Sequence, residues 1–204
     1  MKIRIVEIGS ITDDLLLPWL DLYEIAFPAH EKIPVSGHLQ ILKKRARGEA
    51  CHSHLLAALD ENDNLVGLAR YGNIEECCCA YLWYLAVIPQ VRNQGIGAAI
   101  YEDLRMRAQA DDLKAMVFEV EMPSEAATPE DAEIAERRIS FYRRMGAKIM
   151  TGIQYLQTVG PHQPVTPMHI MIHRFKEVDP EEAFAMGKII FEDSLTHVGN
   201  VELE

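Results

Sequence analysis

Alternating apolar and polar positions along the chain predict a series of short strands. Residues 2–8 alternate as one strand, and residues 54–59 and 65–71 form two more, joined by a turn at 60–64. The segment CCCAYLWYLAVIP is apolar on both faces, which is typical of a central strand. Three later segments, AMVFEVEMP, AKIMTGIQYLQT and PMHIMIHRF, bring the predicted total to about seven strands.

Apolar residues that recur at helical spacing, often behind a capping residue, predict the helices. Thr128 is the expected cap of one of them, because Pro129 suits its first turn and Asp131 stands where a capping-box acid belongs. The predicted helices cover 18–28, 36–48, a stretch that begins near Gly95, 128–146 and a stretch that begins at 179.

The order of these elements predicts an α/β (α+β) fold. Strand, two helices, three strands, helix, strand, helix, two strands and helix follow one another, which indicates a mixed, mostly antiparallel central sheet flanked by helices. We expect one domain over residues 1–176 and a C-terminal helical extension over 177–204.

Charge and composition narrow the function classes. The chain has 204 residues and a formal net charge of -11, which disfavours a nucleic-acid-binding protein without a local basic patch. No apolar run is long enough to cross a membrane, and the N-terminal segment lacks a signal-peptide core. We therefore expect a cytoplasmic protein with no nucleic-acid or membrane partner.

The cysteines predict neither a disulfide framework nor a metal site. Three of the four, Cys77, Cys78 and Cys79, are consecutive, and neighbours in a row cannot pair without strain. Consecutive strand residues point to opposite faces, so we expect small buried strand residues rather than nucleophiles. The segment CHSH at 51–54 matches no common zinc spacing.

A short loop after the central strand carries the clearest candidate chemistry. In RNQGIG, Arg92, Gly95 and Gly97 open a helix whose N-terminal N–H groups and positive dipole end favour an anion. The glycines allow close approach to the backbone, and Arg92 adds a positive charge. The loop matches neither a P-loop nor a dinucleotide fingerprint, because Ile100 stands where a third glycine is needed.

The segment VIPQVRNQGIGAAIYEDL resembles the coenzyme A motif of the GNAT superfamily of N-acetyltransferases, Gln/Arg-x-x-Gly-x-Gly/Ala. The segment FYRRMGA resembles the second hallmark of that superfamily, and the similarity covers roughly residues 3–175. The resemblance implies a GNAT-like fold and acetyl-CoA as cosubstrate, with no metal. Strands carrying residues 85–87 and 118–120 would splay apart around the pantetheine arm. The implied coenzyme-binding residues are Leu85, Ala86 and Val87 for the pantetheine arm, and Arg92, Asn93, Gln94, Gly95, Ile96, Gly97 and Ala98 for the diphosphate.

The resemblance also implies catalytic roles. Tyr142 of the second motif would protonate the leaving thiolate, although it also shares an apolar helix face with Ala135 and Ile139 and could be a core aromatic. Tyr81 stands where the histone-modifying branch carries its glutamate base.

Glu119 and Glu121, on one face of their strand, are the remaining candidates for the general base, and a water relay is a further alternative. Glu121 ranks first because it is nearer the strand end. Either carboxylate could instead be paired with Arg137 or Arg138.

These implications define the expected activity. We expect direct transfer of an acetyl group from acetyl-CoA to the primary amine of a small molecule. The alternatives are acetylation of a protein N-terminus or lysine, and a non-catalytic acyl-CoA-binding module that acts as a sensor or structural subunit. Within the loop at 27–34, which shapes the acceptor pocket in this superfamily, His30 and Glu31 could contact substrate or simply be solvated. A homodimer is compatible with the resemblance, since dimers are frequent in the superfamily.

Overall fold

A computed structural model describes residues 2–158 and 165–204. The expected substrate contact of the His30 side chain lies outside what it describes. The helices are α1 Leu16–Ala26, α2 Val35–Ala46, α3 Ile96–Ala110, α4 Pro129–Arg144 and α5 Pro180–Phe191. The strands are β1 Arg4–Glu7, β2 Ser53–Leu59, β3 Leu65–Ile74, β4 Cys79–Val87, β5 Ala115–Glu121, β6 Lys148–Gln157, β7 Thr166–Arg174 and β8 Leu195–Leu203.

The strands form a mixed sheet, which confirms the predicted fold class. Within the described residues, eight strands follow the order β1-β2-β3-β4-β5-β7-β6-β8. The β1–β2, β2–β3, β5–β7, β6–β7 and β6–β8 pairs are antiparallel, and β4–β5 is parallel. The chain divides into two compact units: unit 1 comprises 1–73 and 82–107, and unit 2 comprises 74–81 and 108–204. Strand β4 therefore contributes its first residues to unit 2 and the rest to unit 1.

Unit 1 has an aromatic core between its helices and strands. The rings of Trp19 and Tyr23 stack with centroids 5.7 Å apart, and the fully buried His38 lies edge-on to both. Burial lowers the pKa of His38 to about 3, with a smaller effect in the same direction from the charge of Arg70. The hydroxyl of Tyr23 donates to the Ile33 carbonyl at 3.0 Å, which fastens the segment between α1 and α2.

Unit 2 has helices whose starts match their sequence signals. The Thr128 hydroxyl accepts from the Asp131 amide at 3.1 Å, which is the predicted cap, and it donates to Asp131 Oδ2 at 2.7 Å. Asp179 caps α5 by accepting from the Glu182 amide at 2.8 Å. Strand β5 pairs with β7 along its whole length, in a register that sets Glu119 opposite Ile170.

Two sequence predictions about strands are wrong. The C-terminal segment is not purely helical, because β8 follows α5 and pairs with β6, so the described residues form eight strands where about seven were predicted. Only Leu195 and Val201 of β8 are buried, so its sequence carries little apolar alternation. The central strand also begins later than predicted: Glu75–Cys77 is a 3-10 turn, and β4 starts at Cys79. No helix within the described residues is long and apolar enough to span a membrane.

Candidate functional site

The loop between β4 and α3 has a backbone that presents amides at a helix start. Asn93 and Gly95 have φ values of 62° and 83°, in the left-handed region where glycine is favoured. The Ala99 amide donates to the Gly95 carbonyl at 2.9 Å, so the amides of Ile96, Gly97 and Ala98 precede the first bond of the helix. This first turn is where a helix provides N–H groups and positive partial charge to an anion.

Close packing of α3 on the strands of unit 1 fixes this helix start. A Cβ at Gly67 of β3 would stand 2.8 Å from Ile100 Cδ1 and 2.9 Å from the Ala86 carbonyl oxygen. Ile96 and Ile100 are both 1% exposed. The absence of a side chain at Gly67 therefore lets α3 lie against β3 and β4, which holds its first turn in place.

The loop itself is open to solvent. Arg92, Asn93, Gln94 and Gly95 are exposed, and a Cβ built on Gly95 would meet no atom within 4 Å. Arg92 Nε donates to the Val87 carbonyl at 3.1 Å, which ties the arginine to the end of β4. An exposed guanidinium beside helix-start amides is chemically suited to a diphosphate.

Glu119 of unit 2 lies in a hydrogen-bonded cluster that the sequence analysis did not identify. The Tyr81 hydroxyl lies 2.8 Å from Oε1 and 2.6 Å from Oε2 of Glu119, and Gln157 Nε2 donates to Oε1 at 3.1 Å. Burial raises the pKa of Glu119, while the hydrogen bonds from Tyr81 and Gln157 oppose that rise. This carboxylate is therefore both oriented and more basic than an exposed one.

Glu121, two residues further along β5, has a different environment. Its Oε1 forms an ion pair with Arg138 of α4, the alternative that the sequence left open. Its Oε2 is buried and has no hydrogen-bond partner within the described part of the chain. Glu121 is thus held as the charged partner of an arginine, whereas Glu119 is held by neutral donors.

Tyr142 lies on the buried face of α4. It shares that face with Ala135 and Ile139, is 7% exposed, and packs against Phe118 with ring centroids 4.4 Å apart. Burial raises its pKa to about 12, with opposing smaller effects from the charges of Arg138 and Glu121. Its phenol therefore holds its proton at neutral pH.

The Tyr81–Glu119 contact could not be read from the sequence. The two residues are 38 positions apart, and they meet because β4 and β5 pair in parallel, with Tyr81 opposite Val117. The available signal was a tyrosine and a glutamate on two buried strands, but the register between the strands was unknown. No group of three or more His, Cys, Asp or Glu residues suited to a metal ion occurs in the described ranges.

Comparison with protein families identifies the class to which this fold and loop belong. The model of the Acetyltransferase (GNAT) family matches residues 19–147, more than half of the chain. The chain therefore belongs to the GNAT acetyltransferase family. A search of curated proteins finds no match.

Solved structures share the fold at low sequence identity. A GNAT-family protein from Bacteroides thetaiotaomicron superposes with a TM-score of 0.69 at 23% identity, over 92% of this chain and 98% of that one. An acetyltransferase of the family from Elizabethkingia anophelis, with acetyl-CoA bound, gives 0.58 at 18% identity, over 85% and 98%. The ribosomal-protein-S18-alanine N-acetyltransferase of Escherichia coli gives 0.57 at 17% identity, over 87% and 97%. These identities establish the similarity of fold alone.

Proposed function

We propose that this protein is an acetyl-CoA-dependent N-acetyltransferase that acts on the primary amine of a small molecule. The observation that carries the proposal is the loop before α3, where left-handed Asn93 and Gly95 lead into a helix start with three amides ahead of its first bond. The family match supports acyl transfer, and the Elizabethkingia anophelis relative holds acetyl-CoA.

In this proposal the chain binds the coenzyme mainly through its backbone. The main-chain groups of Leu85, Ala86 and Val87 serve the pantetheine arm. The diphosphate is bound by the segment Arg92, Asn93, Gln94, Gly95, Ile96, Gly97 and Ala98. The open space around Gly95 fits this role, since no described atom occupies the region that a Cβ would reach. The coenzyme supplies an activated acyl group as a thioester.

Two side chains of unit 2 are assigned the proton transfers. Glu119 accepts the proton that the amine loses as its nitrogen bonds to the acyl carbon, because burial raises its pKa and Tyr81 orients it. Tyr142 gives its proton to the departing sulfur, because its phenol is neutral at the working pH. We prefer Glu119 to Glu121 because the latter is committed to an ion pair with Arg138.

A second candidate function is binding of acyl-CoA without turnover. The observations that favour it are the burial of Tyr142, which also suits a core aromatic, and the ion pair of Glu121. Acetylation of a protein N-terminus or lysine stays an alternative acceptor class.

The release of free thiol from acetyl-CoA, measured across a panel of small amines and amine-bearing peptides, tests the proposal. We expect release with at least one small amine, together with an acetylated product found by mass spectrometry. Thiol release with peptides alone would show that the acceptor is a protein amine rather than a small molecule. Thermal stabilisation by coenzyme A without thiol release on any amine would support the binding module. A ligand at a hundred times its dissociation constant stabilises the folded protein by about 2.7 kcal/mol.

A further inference from the structure

The three consecutive cysteines of unit 2 have different environments. Cys77 ends the 3-10 turn and is half-buried, Cys78 is exposed, and Cys79 is fully buried at the start of β4. The expectation of three buried strand residues is therefore wrong for Cys77 and Cys78. The strand pattern failed because the backbone turns at Cys78, whose φ of 49° and ψ of 42° are left-handed.

This turn brings two of the three sulfurs together. The Sγ atoms of Cys77 and Cys79 are 3.0 Å apart, whereas the Cys78 thiol is directed to the Glu75 carbonyl at 3.7 Å. A disulfide needs a sulfur separation of about 2.05 Å, so bond formation requires an approach of only about 1 Å. Cys77 and Cys79, which are two positions apart, are therefore better placed to form a disulfide than adjacent cysteines, which pair only with strain.

The pair is also chemically asymmetric. The hydrogen bond with Cys79 lowers the pKa of the Cys77 thiol, and the same bond with burial raises the pKa of Cys79. Cys77 is thus the more acidic thiol, on a half-buried residue, and Cys79 is the less acidic thiol, on a fully buried residue in contact with it. This arrangement matches an attacking thiolate with a resolving thiol beside it.

We propose that Cys77 and Cys79 form a peroxide-oxidisable dithiol, in which Cys77 is the reactive cysteine and Cys79 resolves it to an intrachain disulfide. The Cys77 thiolate attacks a hydroperoxide, breaks its O–O bond and becomes a sulfenic acid, while the other oxygen takes a proton and leaves as an alcohol or water. Cys79 sulfur then attacks the Cys77 sulfur. The sulfenic oxygen leaves with the Cys79 proton as water, and the S–S bond forms.

A small neutral hydroperoxide fits this site better than an anionic disulfide. Glu75 and Glu76 immediately precede Cys77, and the charge of Glu76 acts on it by raising its pKa. A negatively charged oxidant would be repelled by the same carboxylates, whereas hydrogen peroxide would not.

Thiol counting after hydrogen peroxide treatment of the reduced, full-length protein tests the proposal. The wild type should fall from its four thiols to two, remain monomeric on a non-reducing gel, and lose the mass of two hydrogen atoms. Cys51→Ala is the matched control, because the Cys51 thiol lies in unit 1 beside the carbonyls of Ile41 and Ser53, and its removal should not alter the loss of two thiols.

Three variants separate the roles of the consecutive cysteines. Cys78→Ala should still form the disulfide, Cys77→Ala should keep all its remaining thiols, and Cys79→Ala should give a sulfenic acid at Cys77 that dimedone traps. Retention of four thiols in the folded wild type would overturn the proposal. A disulfide that survives in Cys79→Ala or disappears in Cys78→Ala would also overturn it, because Cys78 would then be a partner. None of these measurements depends on acetyltransferase activity.

Discussion

The loop before α3 and the carboxylate cluster on β5 are built in opposite ways. The loop relies on backbone: Gly95 supplies a left-handed conformation, and the helix start supplies amides. The cluster relies on side chains that are far apart in sequence, with Tyr81 and Gln157 each 38 positions from Glu119. A backbone site depends on local sequence, whereas a side-chain cluster depends on strand register, so the two sites should respond differently to mutation.

The largest effect on kcat is expected at Glu119, the residue of the cluster that we assign as the general base. Glu119→Gln keeps an oxygen that can accept from Tyr81 but removes the proton acceptor, so kcat should fall by about 10²- to 10⁴-fold with little change in coenzyme affinity. Steady-state kinetics on the amine found in the panel measures this. The paired control is Glu121→Gln, which breaks the ion pair with Arg138 and should reduce kcat far less. If the two variants rank in the reverse order, Glu121 is the base.

The next effect concerns Tyr142, for which a catalytic and a packing role predict different results. Tyr142→Phe keeps the ring against Phe118 and removes only the hydroxyl. A proton donor to the thiolate predicts a fall in kcat of about 10²-fold, with coenzyme affinity unchanged by calorimetry. Wild-type turnover in a folded Tyr142→Phe protein would leave the residue as a core aromatic.

A smaller effect is expected in the backbone site. Gly95→Ala should weaken coenzyme A binding at least about tenfold, roughly 1.4 kcal/mol, because a Cβ intrudes where the diphosphate approaches and the left-handed backbone is strained. Gly48→Ala is a matched control, since Gly48 also has a positive φ, 69°, and open space around its Cβ. Both variants should lose similar folding stability. Equal coenzyme affinity in the two would remove the loop as the diphosphate site.

The smallest effect is a displacement of the pH profile. Tyr81→Phe removes a hydrogen bond that lowers the pKa of Glu119, so the pKa should rise and the acidic limb of kcat/KM should move to higher pH. Tyr155→Phe is the control, because Tyr155 packs on Phe191 and no hydrogen bond from it to Glu119 is seen among the described residues. A limb that stays in place in Tyr81→Phe would show that Glu119 does not govern it.

The sequence could predict the features that depend on local residues, but not those that depend on contacts between distant segments. Local signals found the loop, the caps at Thr128 and Asp179, and the order of most elements, because each depends on residues within a few positions. Strand β8 was missed because its residues are mostly exposed and carry no apolar alternation. The contact between Tyr81 and Glu119, and the ion pair that commits Glu121, depend on packing between distant segments that no local pattern encodes.

The buried His38 makes the stability of unit 1 depend on pH. Its imidazole lies fully enclosed among aromatic rings, with a pKa lowered from 6.5 to about 3, and neither ring nitrogen has a hydrogen-bond partner within the described residues. Above pH 6.5 the ring is neutral in both the folded and the unfolded chain. As the pH falls from 6.5 toward 3, only the unfolded chain gains the proton, so acid steadily favours unfolding. Burial of this one imidazole thus makes the free energy of unfolding of unit 1 fall progressively as the pH drops below 6.5.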